Sequence, residues 1–154
     1  MTTPTGWSDL TLTISDAQIP ALVNKIADLL AVAGDGIDLD FEHLSSHTGA
    51  VLQQQRLVVG KLIVALKNKF MSTPGMENKW IVYTPRYNAF FEGGAYGSNL
   101  FATDGEGLDV FGYVTAHSQY GIDAVDYVNL MMYDIDAREA FSGATQPYFV
   151  WSHY

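Results

Sequence analysis

The stretch Gly36-Ile37-Asp38-Leu39-Asp40-Phe41-Glu42 alternates strictly, with apolar side chains at 37, 39 and 41 and carboxylates at 38, 40 and 42. Successive side chains of a strand point to opposite faces, so this segment reads as a strand with one apolar and one acidic face. Three neighbouring carboxylates are not ordinary core, because burying adjacent like charges is costly. One reading is a solvated acidic face on an antiparallel edge strand. The flanking sequence supports another: helical patterns on both sides imply a sheet whose apolar face meets helices. The acidic face then meets a cleft or the interior of a barrel. Carboxylates stacked in such a place can share a proton, as acid catalysis requires.

Upstream, Ile19, Leu22, Val23, Ile26, Leu30 and Ala33 fall on one helical face. Ser15 and Gln18 have capping-box spacing, but Pro20 conflicts with a start at Ser15, so Pro20 is an alternative first residue. Gly34 is the expected stop. A short strand is expected around Leu10 to Ile14. Downstream, 43–50 reads as loop, and a long amphipathic helix is expected from about Ala50 to Phe70. Ser72-Thr73-Pro74-Gly75 ends it. Trp80 to Tyr83 reads as a strand ending at Pro85, and Arg86 to Gly107 as a long Gly- and Asn-rich loop. Residues 108–124 are ambiguous, with strand followed by short helix as the expectation. Val125 to Tyr133 is nearly continuous in apolar residues, as expected for a strand buried on both faces. No element is expected over 137–154. Helix and strand alternate, which predicts βα units and a parallel sheet.

The chain has 154 residues and no cysteine; its net charge is −9, and 48% of its residues are hydrophobic. It is long enough for one domain with a real core. The acidic balance argues against nucleic acid and against anionic membrane surfaces as partners. No apolar run is long enough to span a bilayer. The opening MTTPTGWSDL lacks the basic and apolar parts of a secretory signal, which leaves the compartment open. Without cysteine there is no disulfide framework and no thiol nucleophile.

Asp35-Gly36-Ile37-Asp38-Leu39-Asp40-Phe41-Glu42 resembles the D-x-x-D-x-D-x-E signature of family 18 glycoside hydrolases, the chitinases and their relatives. Downstream, Asp126 to Asp134 contains Met131-Met132-Tyr133-Asp134, similar to the M-x-Y-D motif on that family's sixth barrel strand. Trp80 to Pro85 would be the fifth strand, with Thr84-Pro85 where the family often has Ala-Pro. Gly34 is a departure, since the family usually has an apolar residue there.

The resemblance implies a partial (β/α)8 barrel. Residues 1–154 would form one partial catalytic domain, an open parallel sheet covering about strands three to six with flanking helices. A whole barrel takes about 250 residues, so this chain is expected to be its middle. Glu42 would be the general acid, and Asp40 would orient the substrate's N-acetyl group and share a proton with Glu42. Asp38 would tune Asp40, and Tyr133 would donate a hydrogen bond to the acetamido group. Met131 and Asp134 would line the sugar site. Asp35, which opens the motif, would stand among the substrate-binding residues and close the turn into the strand.

The implied reaction is retaining hydrolysis of β-1,4-linked N-acetylglucosamine polymers. The substrate's own acetamide acts as nucleophile, and no cofactor takes part. The expected partner is chitin or a related oligosaccharide. Exposed sheet edges make self-association a further expectation. Family members are often secreted. The alternatives are a chitin-binding protein without turnover, against which the presence of Glu42 speaks, and an inactive truncated fragment.

Two smaller signals have bland readings. Asp104-Gly105-Glu106-Gly107 with Asp109 lacks the full spacing of a calcium loop and reads as a solvated Gly-rich loop. The four histidines show no metal-ligand spacing.

Overall fold

The computed structural model describes residues 14–40, 49–85, 89–90 and 105–131. Helix α1 (Ile19–Val32) leads into strand β1 (Gly36–Asp40). Helix α2 (Gly49–Ser72) connects β1 to strand β2 (Trp80–Thr84). Helix α3 (Glu106–His117) and a 3-10 turn (Gly121–Ala124) connect β2 to strand β3 (Tyr127–Val128). Both strand pairs are parallel and the sheet order is β1-β2-β3. The described chain is thus an α/β unit with a small parallel sheet.

The helices cover one face of this sheet. A single core joins Val23, Ala27 and Leu30 of α1 to Val59, Leu62, Ile63, Leu66 and Phe70 of α2, and to Val110 and Val114 of α3. Leu39, Ile81 and Tyr83 enter it from the strands. Their spacing follows directly from the two periodicities: three and four residues apart on the helices, two apart on the strands. In β1 the alternation expected from the sequence holds, with Leu39 buried and Asp38 and Asp40 exposed. Strands taken in chain order, with crossovers on one side, leave the other face uncovered by any described helix.

The start of α1 resolves the competition between Ser15 and Pro20. Gln18 is the N-cap residue and Pro20 lies in the first turn, where the missing N–H has no helical acceptor to lose. Ser15 still takes part, because its backbone N–H donates to Gln18 Oε1 at 2.8 Å. Glycines set two close approaches. A Cβ at Gly36 would lie 2.5 Å from the Trp80 carbonyl oxygen, and one at Gly107 would lie 2.7 Å from the Phe90 ring.

Three expectations are corrected. Residues 108–124 hold no strand; 106–117 are helix and 121–124 a 3-10 turn. Val110 and Val114, four apart, face α2, and Gly60 of α2 lets Tyr113 approach to 3.0 Å of where its Cβ would be. The Gly-rich loop therefore ends earlier than its composition indicates, and Gly105 at φ 73° makes the turn into the helix. Second, β3 is not buried on both faces: Tyr127 and Val128 are 54% and 39% exposed. It is the edge of the described sheet, and among the described residues only β2 pairs with it. Third, Glu106 and Asp109 do not belong to a solvated loop; Glu106 is fully buried. The strand expected near Leu10, most of the long loop, and the segment 137–154 lie outside the described residues.

Candidate active site

Register brings the acidic face of β1 against β2. Asp38 pairs with Val82 and Asp40 with Thr84. Directly paired residues share a face in a parallel sheet, so Asp38, Asp40, Val82 and Thr84 stand together on the side away from the helices. Tyr127 pairs with Val82 and joins the same face from β3. The Thr84 hydroxyl donates to Asp38 Oδ1 at 2.5 Å. That contact links β1 to β2 at the C-terminal half of both strands, the end where α/β folds place their sites.

β3 continues alongside β2 beyond its short ladder. Asp126 N–H donates to the Ile81 carbonyl, Asn129 N–H to Tyr83 and Met131 N–H to Pro85. Acceptors Ile81 and Tyr83 are two residues apart, whereas donors Asp126 and Asn129 are three apart, so β3 carries one extra residue there. Met131, two steps of alternation beyond Tyr127, follows it onto the open face and is 6% exposed. Asp38, Asp40 and Met131 are therefore on one side of the sheet. Asp35 is not with them. It lies at the N-terminal end of β1, where its carbonyl accepts from Trp80 N–H at 2.9 Å, and the Lys79 ammonium donates to the neighbouring Gly34 carbonyl. Five strand residues span about 16 Å, which separates Asp35 from the opposite rim. Glu42, Tyr133 and Asp134 lie outside the described residues.

Two arrangements had no counterpart in the sequence reading. The first is Thr84, which composition alone marks only as the residue before Pro85. Its position at the C-terminal end of a strand was the available signal. The second is a buried polar cluster on the helix side. The Tyr83 hydroxyl donates to Glu106 Oε1 at 2.6 Å, both groups inside the core. Burial pushes the Tyr83 phenol well above its usual range; the Glu106 charge and hydrogen bond add to this, while Arg56 opposes it. Arg56, itself buried, donates to Asp109 at 2.6 Å and ties α2 to α3. Asp126 serves the frame as well: it accepts from Ile81 N–H at 2.8 Å and lies 3.4 Å from Lys67 Nζ. Glu106 and Asp109 at the start of α3 suit the positive end of the helix dipole.

The described residues hold no group of three or more His, Cys, Asp or Glu able to ligate a metal ion. No helix among them is long and apolar enough to cross a membrane. His117 stacks on Tyr113 with ring centroids 3.9 Å apart, and its Nδ1 lies 2.8 Å from the Tyr113 carbonyl. An open groove of about 650 Å³ runs past it, lined by Asn68, Met71, Ser72, His117, Gln119 and Tyr120. It lies at the C-terminal ends of α2 and α3 and shares no residue with the acidic row.

Compared with protein-family models, curated proteins and solved structures, the chain matches none.

Proposed function

We propose that this chain carries the acid-bearing segment of a family 18 glycoside hydrolase barrel and acts on β-1,4-linked N-acetylglucosamine polymers. The observation that carries the reading is the parallel order β1-β2-β3, with Asp38 and Asp40 on the face opposite the helices. In a barrel that face is the interior, and the C-terminal strand ends form the rim where substrate binds. Met131, just beyond β3, stands on the same face, which supports the reading of the second motif.

In this mechanism Glu42, two residues beyond Asp40 in the alternation, protonates the glycosidic oxygen. Asp40 orients the substrate's acetamide, whose oxygen attacks the anomeric carbon. Expulsion of the leaving sugar gives a cyclic oxazolinium intermediate, which water opens with retention. Asp38 tunes Asp40, and Tyr133 and Asp134 hold the acetamido group and sugar.

The test is release of fluorophore from a fluorogenic chitobioside by the full chain and by Glu42→Gln. General acid catalysis contributes about 10²–10⁴-fold, so the variant should lose at least 99% of the rate, roughly, with its circular dichroism unchanged. Binding of chitin oligosaccharides without turnover by the unaltered chain would overturn the hydrolase reading in favour of a binding protein.

A further inference from the structure

Thr84 occupies a defined place in the acidic row. It pairs with Asp40, and its hydroxyl reaches back along the neighbouring strand to Asp38, the residue one alternation earlier. The residue is nearly buried, at 8% exposure, whereas Asp38 is exposed. A buried hydroxyl needs a partner, and the one in place here is the Asp38 carboxylate at 2.5 Å. O–H donation to a charged oxygen at this separation is among the stronger hydrogen bonds. Threonine is also stiff at χ1, so a packed Thr84 offers its hydroxyl in one direction. Alanine at this position would leave Asp38 free to rotate within its own rotamers.

We propose that Thr84 is a positioning residue: its hydroxyl holds Asp38 across the β1–β2 pair and so sets how the acidic row presents Asp40 to substrate. The proposal rests on the hydrolase reading above and adds to it a residue that touches no substrate. The consequence is specific. Without the hydroxyl, Asp38 loses its fixed orientation, Asp40 is presented in several arrangements, and the chemical step slows while substrate binding changes little.

Thr84→Val keeps the shape and removes the donor; Thr84→Ser keeps the donor. Two measurements read them, on the full chain: the carboxyl carbon resonance of Asp38 at neutral pH, and kcat and KM for the fluorogenic chitobioside. Thr84→Val should displace the Asp38 resonance and lower kcat about tenfold to a hundredfold with KM nearly unchanged. Thr84→Ser should restore both. An Asp38 resonance unmoved in Thr84→Val would show that the hydroxyl does not hold it. A kcat unchanged in Thr84→Val, or lowered equally in Thr84→Ser, would overturn the positioning role. An unaltered chain that releases no fluorophore overturns the hydrolase reading instead, and the Asp38 resonance then decides separately whether Thr84 holds the carboxylate.

Discussion

The two faces of the sheet are built from the same three strands and obey opposite rules. On the covered face, Leu39, Ile81 and Tyr83 are each less than 5% exposed and pack against three helices. On the open face stand Asp38, Asp40 and Thr84, with Trp80 and Tyr127 in an edge-on pair at 5.3 Å. Trp80 and Tyr127 are 50% and 54% exposed. Both faces hold paired polar groups: Tyr83 donates to the buried Glu106 on the covered face, and Thr84 donates to Asp38 on the open one. The covered side is dominated by apolar packing, whereas the open side carries the acidic row beside the nearly buried Thr84 and Met131. Truncations on the covered face are therefore the ones expected to unfold the chain.

Adjacent residues of β2 offer the sharpest way to break this contrast. Ile81→Ala should cost about 2–5 kcal/mol, because it empties a fully buried site between the helices. Val82→Thr, one residue along on the other face, should cost about 1 kcal/mol or less. Urea unfolding of both variants measures the difference. Equal losses would mean that the open face is packed as tightly as the covered one.

Tyr83→Phe comes next. It removes the donor to a buried carboxylate and should cost about 1.5–3 kcal/mol. The same residue predicts a pH dependence. Its phenol is raised in the folded state, so between about pH 10 and the folded value the folded chain binds more protons than the unfolded one. Stability then falls as pH rises above about 10, and is independent of this group below that. Thermal melts from pH 9 to 11 should show a shallower decline for Tyr83→Phe than for the unaltered chain. Parallel declines would remove Tyr83 from the account.

The smallest effect concerns the open face alone. Exposed Trp80 and Tyr127, beside a sheet edge that no described strand pairs with, favour association between copies. Light scattering over a range of concentration should show an average mass that rises with concentration, and Trp80→Lys should reduce the rise with little change in the melting temperature. A unaltered chain that stays monomeric throughout would show that this face is covered within the chain.

Much of the frame was legible because its signals are local. The alternation in 36–40 set which side chains share a face, and the apolar spacing from Ala50 to Phe70 marked an amphipathic helix, whose buried stripe holds Val59, Leu62, Ile63, Leu66 and Phe70. The parallel order followed from helices interposed between strands. The errors came where local composition and long-range packing disagree. Gly105-Glu106-Gly107 has the composition of a solvated turn, yet Glu106 is buried because Tyr83, 23 residues earlier, supplies a hydroxyl at that point. The apolar run of 125–133 looked doubly buried, but burial depends on neighbours, and β3 has a described partner on one side only.

The sequence by itself determined the strand faces, the helix stripes and the residues with chemical capacity, since each depends on the intrinsic periodicity of the backbone and on side-chain type. Tertiary structure decided what those residues meet. The register that sets Asp40 beside Thr84 joins segments more than forty positions apart, and so does the hydroxyl that reaches Asp38. No local pattern encodes such a pairing. It arises only when the helices close over one face and bring two strands into hydrogen-bonding distance.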